Sequence, residues 1–210
     1  MESTAQSHSP TIVFVLGPPG AGKGTLCELA ANMPCVADRR YRHLSVGDYL
    51  RELCKSEFPC IDQSFDCDKI RNHIRESKLL PADVLIPVLK HQIISIPNDE
   101  TATTAWLIDG FPRNMETALA FEEKFGKPLK VIVLECTRDI AQRRFLSRGR
   151  EKSDDDERFQ KRHDEYTENM KKIREHYGSL IETICGDGTK GECLGKFMGA
   201  LPKIPMNPRT

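Results

Sequence analysis

A short apolar segment, TIVFVL, runs directly into the glycine-rich stretch GPPGAGKGT at residues 17–25. A buried strand, the pattern G-x-x-x-x-G-K and a helix in this order are typical of a phosphate-binding loop. Its glycines let backbone N–H groups turn toward phosphate oxygens, and the following helix presents its positive end to them. The Ser or Thr that usually follows the lysine is replaced by Gly24. We therefore predict a nucleotide site in which Lys23 contacts the outer phosphates of a nucleoside triphosphate.

Apolar runs and helical patterns alternate along the rest of the chain. The runs show no polar alternation, as expected of strands in a parallel sheet that helices cover on both faces. We therefore predict an α/β P-loop fold of three layers with a five-stranded parallel sheet. Ligands of such sheets bind at the carboxyl ends of the strands, where the loops at 17–22 and 109–113 lie. The predicted strands are residues 11–16, 41–45, 105–108, 130–136 and 181–185, and the predicted helices are residues 23–32, 114–124, 139–147 (capped by Thr137) and 156–177.

Charge and hydropathy exclude several classes of partner. The 31 basic residues balance the 31 acidic ones, so no excess positive charge favours nucleic acid or an anionic membrane. No apolar run approaches the roughly eighteen residues that span a bilayer. The polar N-terminus is neither a secretory signal nor an Arg-rich transit peptide. We expect a monomer of the cytoplasm, and also of the nucleus, without nucleic-acid or membrane partners and with flexible tails at residues 1–10 and 203–210.

The eight cysteines include no C-x-x-C pair. Cys54, Cys60 and Cys67, with His73 nearby, could supply four metal ligands, but their spacings match no common zinc framework. We interpret the cysteines as reduced thiols, several of them buried in strands and helices.

Two further motifs accompany the glycine loop, HLSVGDYLR at residues 43–51 and LIDGFPRN at residues 107–114. Together with GPPGAGKGT, and in this order, they resemble the three signatures of the nucleoside monophosphate (NMP) kinases, the family of adenylate kinases and UMP/CMP kinases. The resemblance covers residues 11–177. The family's loop normally reads GKGT, so Gly24 is the residue that the resemblance implies. The implied bounds are residues 11–202 for a single domain, 45–80 for a helical NMP-binding lobe and 148–156 for a short lid.

The reaction implied by this resemblance is ATP plus NMP giving ADP plus NDP, with Mg²⁺ accompanying ATP. Because the acceptor is an ionised phosphate, the reaction needs alignment and charge neutralisation rather than a protein nucleophile. Arginine suits this task because its planar fork pairs with two oxygens. The implied catalytic residues are Lys23, Arg113, Arg148 and Arg162, and Asp109 is implied to orient the water shell of the metal. The implied ATP-binding residues are Gly20, Ala21, Gly22, Lys23, Gly24, Thr25, Arg148 and Gly188, and the implied NMP-binding residues are Ser45, Val46, Arg51, Leu79, Leu80, Gly110, Phe111, Arg113, Asn114, Thr117 and Arg162.

The chain departs from the family pattern in the lid and at two positions that contact the base. Short lids of the family typically read R-G-x-x-S-G-R-x-D-D-N, whereas RGREKSDDD is shorter and lacks the S-G-R arginine. Arg150 or Lys152 could replace it. Val46 stands where adenylate kinases have Thr and UMP/CMP kinases have Ala, and Thr117 stands where they have Gln and Asn. We expect UMP or CMP as the acceptor, with AMP as the alternative.

Other function classes fit the sequence less well than a nucleoside monophosphate kinase does. The unusual lid and base-contacting positions fit a catalytically weak nucleotide-binding regulatory paralogue. The presence of Lys23, Arg51, Asp109 and Arg113 favours an enzyme instead. A small-metabolite kinase is disfavoured because DGFPR and HLSVGDYLR indicate a nucleotide acceptor. A GTPase is disfavoured because the chain contains no guanine-reading N-K-x-D motif.

Overall fold

A five-stranded parallel sheet forms the centre of the protein. The structure, a computed structural model, describes residues 10–34, 39–55, 65–96, 103–148 and 155–203. The strands are β1 (Thr11–Leu16), β2 (Arg39–Ser45), β3 (Thr103–Asp109), β4 (Lys130–Glu135) and β5 (Ile181–Cys185). They lie side by side in the order β2-β3-β1-β4-β5, and every neighbouring pair is parallel. The predicted sheet is confirmed.

Eight α-helices are present in the described ranges. They are α1 (Lys23–Ala31), α2 (Val46–Lys55), α3 (Cys67–Arg75), α4 (Ala82–Ser95), α5 (Met115–Phe125), α6 (Arg138–Ser147), α7 (Asp156–Tyr177) and α8 (Lys190–Ala200). None of the helices in this part of the chain is long and apolar enough to cross a membrane. The predicted tails and most of the predicted lid lie outside the described residues.

The side chains of each strand point alternately into two apolar layers. On β1, Ile12, Phe14 and Leu16 enter a large core with apolar residues of α2 to α5 and α7. Val13 and Val15 enter a second core with residues of α1 and α8. Because both faces of the sheet are covered by helices, the central strands β1, β3 and β4 are mainly apolar. The edge strand β2, RRYRHLS, is largely polar. The sheet between its two helical layers is the three-layer arrangement predicted above.

The fold brings three polar chain segments to one edge of the sheet. β1 ends at the glycine loop, β2 passes directly into α2, and β3 ends at Asp109. Ser45 and Val15 are the register partners of Asp109 on the two neighbouring strands. The N–H of Gly110 donates to Val15 O at 3.0 Å and continues the ladder into the loop. The carboxyl ends of β1, β2 and β3 therefore meet, as the sequence predicted.

One local prediction is confirmed in position only, and another is wrong. Thr137 is the N-cap residue of α6, as predicted, but its side chain makes no capping bond. Its N–H donates to Asp187 Oδ1 at 2.8 Å and its hydroxyl contacts the same oxygen at 3.5 Å. The Asp187 carboxylate, from the loop after β5, therefore accepts the hydrogen bonds of Thr137. A local sequence pattern could not reveal this contact, because the two residues are far apart along the chain.

The second correction concerns the cysteines. Cys67 is disulfide-bonded, so the interpretation of all eight as reduced thiols is wrong. The expectation of reduced thiols rested on cysteines that are buried in strands and helices. Cys67 instead lies half-buried at the first turn of α3, outside the core. Cys60 lies outside the described residues. A sulfur in a disulfide offers no thiolate, so Cys67 cannot be a metal ligand. The four-ligand metal set considered above therefore loses one of its members.

Phe14 is the residue through which the larger core is best tested. It is fully buried, and its ring contacts the rings of Phe111, Phe121 and Tyr177 at centroid distances of 5.4, 5.3 and 5.9 Å. Phe14→Ala should lower the free energy of unfolding, measured with urea, by about 3–5 kcal/mol. Leu119→Ala removes a side chain that is 52% exposed and should change it by less than about 0.5 kcal/mol. Equal losses in the two variants would contradict this core.

Candidate active site

The glycine loop connects β1 to α1 and lies against α6. Gly20 and Gly22 have positive φ angles of 84° and 95°. A Cβ on Gly20 would lie 2.0 Å from Ala141 O, so only glycine fits between the loop and α6. Gly22 is the N-cap of α1 and provides no capping side chain. The N–H groups of the first helical turn can therefore donate to an anion.

Lys23 is the first residue of α1 and is half-buried beside this loop. Its Nζ donates to Gly17 O at 2.9 Å and to Pro18 O at 3.0 Å. Desolvation lowers the pKa of Lys23 to about 8, and the nearby Asp109 carboxylate opposes this shift. An anionic phosphate would favour the charged form of this side chain. Lys23 is therefore placed to bind a phosphate next to the loop.

Asp109 ends β3 and is one of two buried polar residues in the described part of the chain. Its Oδ2 lies 3.6 Å from His43 Nε2, and its carboxylate faces the same cleft as the glycine loop and Thr25. No group of three or more His, Cys, Asp or Glu side chains suited to a metal occurs in the described ranges. One carboxylate beside a phosphate site fits Mg²⁺ that is held mainly by phosphate oxygens and water.

Five arginines line one open cleft of about 1320 Å³ together with the glycine loop, and four of them were predicted from the sequence. Arg51 lies on α2, Arg113 follows β3, Arg148 follows α6 and Arg162 lies on α7. Desolvation lowers the pKa of Arg162 to about 9, and Arg113 and Arg148 add to the shift. The predicted residues that line this cleft are Gly20, Ala21, Gly22, Lys23, Gly24, Thr25, Ser45, Arg51, Asp109, Gly110, Arg113, Arg148, Arg162 and Gly188.

A second pocket of about 790 Å³ opens beside the cleft, and Arg51, Arg113 and Arg162 line both. Its walls are residues of α2, α4, α5 and α7 and of the segment between α3 and α4. Every residue predicted to bind NMP lines this pocket except Ser45, which lies in the larger cleft. The predicted residues in this pocket are Val46, Arg51, Leu79, Leu80, Gly110, Phe111, Arg113, Asn114, Thr117 and Arg162.

Thr117 places a buried hydroxyl in the wall of this second pocket. Asn114 is the N-cap of α5, and its Oδ1 accepts from the N–H of Thr117 at 2.9 Å and from the Thr117 hydroxyl at 2.7 Å. Because its proton is used in this bond, the hydroxyl can offer a ligand only its oxygen lone pairs. Thr117 is therefore a hydrogen-bond acceptor for whatever occupies the pocket.

Asp48, Arg144 and Glu165 are among the site residues that were missed in the sequence. Asp48 accepts from Ser45 Oγ at 2.6 Å and pairs with Arg51 one helical turn later. Arg144 lines the cleft and donates to Gly186 O at 2.7 Å, and Glu165 lines the second pocket. The i,i+3 spacing of Asp48 and Arg51 was a usable signal. The roles of Arg144 and Glu165 depend on distant segments and carried no local signal.

The two candidates for the missing lid cation, Arg150 and Lys152, lie outside the described residues. Arg148 is the last described residue before them and is the C-cap of α6. After them, Asp155 caps α7, with its side chain accepting from the N–H of Arg158 at 2.8 Å. The described part of the lid therefore consists of its two ends.

Comparisons with known proteins agree with this geometry. The family model described as adenylate kinase matches residues 15–181. A rice (Oryza sativa subsp. japonica) protein named UMP-CMP kinase 3 is 39% identical over 80% of this chain and 74% of its own length. The mouse (Mus musculus) UMP-CMP kinase is 35% identical over 93% of this chain and 96% of its own. The Saccharomyces cerevisiae uridylate kinase is 34% identical over 83% of this chain and 81% of its own. The chain belongs to the adenylate kinase family.

The lowered pKa of Lys23 predicts a pH dependence for phosphate binding. Below pH 8 the ammonium is charged, and ATP affinity should be constant. Above the pKa of about 8, binding must take up a proton, so affinity should fall by roughly tenfold per pH unit. Calorimetric titration of ATP between pH 7 and pH 9 measures this change.

Lys23→Arg is the matched control for this prediction. The variant lacks the titrating lysine, so its ATP affinity should decline clearly less between pH 7 and pH 9 than that of the parent protein. The same decline in Lys23→Arg as in the parent protein would assign the titration to another group.

Proposed function

We propose that this protein transfers the terminal phosphoryl group of ATP to a nucleoside monophosphate, with UMP and CMP as the preferred acceptors. The observation that carries the proposal is the connection of two pockets through shared arginines. One pocket has the loop and the lysine of a triphosphate site, and the other has an apolar wall for a base. Arg51, Arg113 and Arg162 lie where the two meet, which is where a phosphoryl group would pass.

Each cation has a distinct part in this proposal. Lys23 and the loop N–H groups bind the outer phosphates of the donor. Arg51 and Arg113 align the acceptor phosphate, and Arg148 and Arg162 neutralise charge that develops during transfer. The acceptor oxygen is already ionised, so no protein base is required. Asp48, which is bonded to Ser45 and Arg51, fixes the direction of one of these arginines.

Mg²⁺ is the metal that fits this donor set. When bound, it would neutralise negative charge on the phosphate oxygens. Asp109 would hold it through water, because this buried carboxylate is on the cleft edge of β3. Asp109 also sits beside Lys23, so the loss of this acid would change the charge of the site even without metal. The assignment of Asp109 and of the other roles above is part of the proposal.

The names of the relatives favour a pyrimidine acceptor, and the acceptor pocket offers a contact for its base. Relatives from rice, mouse and yeast carry the names UMP-CMP kinase and uridylate kinase. In the acceptor pocket, the Thr117 oxygen can accept from an N–H group of the base, and both uracil and cytosine carry one on the Watson–Crick edge. Adenine carries an amino group too, so AMP is the competing acceptor. We further propose a monomer that acts in the cytoplasm and also in the nucleus.

A panel of UMP, CMP, AMP and GMP tests the proposed reaction. ADP formation from ATP and Mg²⁺ should depend on the monophosphate, with kcat/KM for UMP or CMP at least about tenfold above that for AMP. A higher value for AMP would assign the protein to adenylate kinase activity. Calorimetric binding of ATP and UMP without turnover would instead support a regulatory paralogue. Both outcomes would contradict the proposal.

Thr117 tests the proposed contact with the base at a single atom. Thr117→Val keeps the shape of the side chain and removes the acceptor, so kcat/KM for UMP and CMP should fall roughly five- to tenfold. Thr117→Ser keeps the hydroxyl and should lose less than about threefold. If valine and serine give the same loss, the hydroxyl does not contact the base.

A further inference from the structure

A phenylalanine lies beneath two of the arginines in the phosphate cleft. Phe145, on α6, is fully buried. The Cζ atom of Arg148 lies over its ring, 3.9 Å from the centroid, and the Cζ atom of Arg162 lies over it at 5.7 Å. Both arginines line the cleft with the glycine loop. One aromatic ring is therefore shared by two cations that come from different elements.

The ring suits this place because of what arginine must do there. The face of an aromatic ring carries partial negative charge and attracts a guanidinium. Contact with the face engages the π surface of the guanidinium, whereas phosphate oxygens bind the N–H groups in its plane. A carboxylate would occupy the same N–H groups that a phosphate needs. An aromatic ring can therefore hold arginine in position without competing with the substrate.

The surroundings of the two arginines make such an attraction valuable. The charged form of Arg162 is disfavoured by four neighbouring arginines, Arg113, Arg148, Arg158 and Arg51. Like charges repel, so without a holding contact the side chains would spread into solvent. The ring attracts Arg148 and Arg162 toward the same point. The ring thereby opposes the repulsion between the positively charged arginines of the cleft.

Phe145 is also firmly connected to the phosphate loop. Its ring packs against Phe159 of α7 at a centroid distance of 5.5 Å, in a small buried cluster with Ala141. A Cβ on Gly20 of the loop would lie 2.0 Å from Ala141 O and 3.1 Å from Phe145 N. The turn of α6 that carries the ring therefore touches the loop directly. The position of the ring is fixed relative to the site of the donor phosphates.

We propose that Phe145 is a positioning residue for phosphoryl transfer, holding the Arg148 and Arg162 guanidinium groups over its ring face beside the donor phosphates. This inference rests on the proposed kinase function, because its main effect is on phosphoryl transfer. The ring touches neither nucleotide and acts through the two arginines.

Phe145→Leu and Phe159→Leu form a matched pair for the test. Both remove a fully buried ring from the same cluster and leave an apolar side chain, so both should lower Tm by a similar amount. Only Phe145→Leu removes the ring over which Arg148 and Arg162 lie. With ATP and the best monophosphate acceptor, its kcat should fall roughly tenfold while KM for each substrate changes less than about threefold. Phe159→Leu should keep kcat within about threefold of the parent.

Two kinetic outcomes would overturn the inference. Equal losses of kcat in the two variants would show that the cluster matters only for stability. Unchanged kcat in Phe145→Leu, with a lowered Tm, would show that the arginines do not need the ring.

A spectroscopic measurement separates this inference from the proposed function. In the parent protein and in Phe159→Leu, the Nε–H proton signals of Arg148 and Arg162 should be shifted upfield by the ring current of Phe145, and Phe145→Leu should abolish the shift. A parent protein without turnover on any monophosphate would refute the proposed function. The proton shifts would still decide whether the ring holds the arginines, and their absence from the parent would refute the positioning.

Discussion

The mutual repulsion of the cations around the glycine loop is the constraint on which the rest of the structure depends. Lys23, Arg51, Arg113, Arg148 and Arg162 share one cleft. Desolvation lowers the pKa of Lys23 to about 8 and the pKa of Arg162 to about 9. Such a cluster destabilises a folded chain that holds no anion. The fold supplies the opposing stability elsewhere, through two apolar layers that cover the sheet on both faces.

The sheet also explains why these charges can be held at all. They come from α1, α2, the loop after β3, the end of α6 and α7, and each is carried by an element packed into a core. Glycine at position 20 lets the loop approach α6 closely, and Asp48 and the ring of Phe145 direct individual arginines. Preorganisation of this kind is what an electrostatic transfer site needs, because the cations need not move when charge develops.

Much of the fold and site was predictable from local sequence, and the failures have physical reasons. The central strands were predicted because strands buried on both faces are mainly apolar, whereas the edge strand β2, which begins with two arginines, was predicted two residues too short. Helix α4 was missed because Pro87 lies inside it, and α8 because Gly191, Gly195 and Gly199 lower its helix propensity. Tertiary burial and, in α8, a capping box overcome these local penalties. The pairing of Arg162 with a ring on α6 depends on a distant segment, which no local pattern encodes.

The way the arginines are held bears on how the site can discriminate between water and a nucleotide acceptor. An arginine paired with a carboxylate gains little from a phosphate, because one anion replaces another. An aromatic ring holds an arginine without adding a full negative charge, so this contact does not cancel the attraction of the guanidinium for a phosphate. A water molecule carries no charge and is not attracted in this way. The contacts of Arg148 and Arg162 with Phe145 therefore leave intact the electrostatic preference of the site for an anionic acceptor over water.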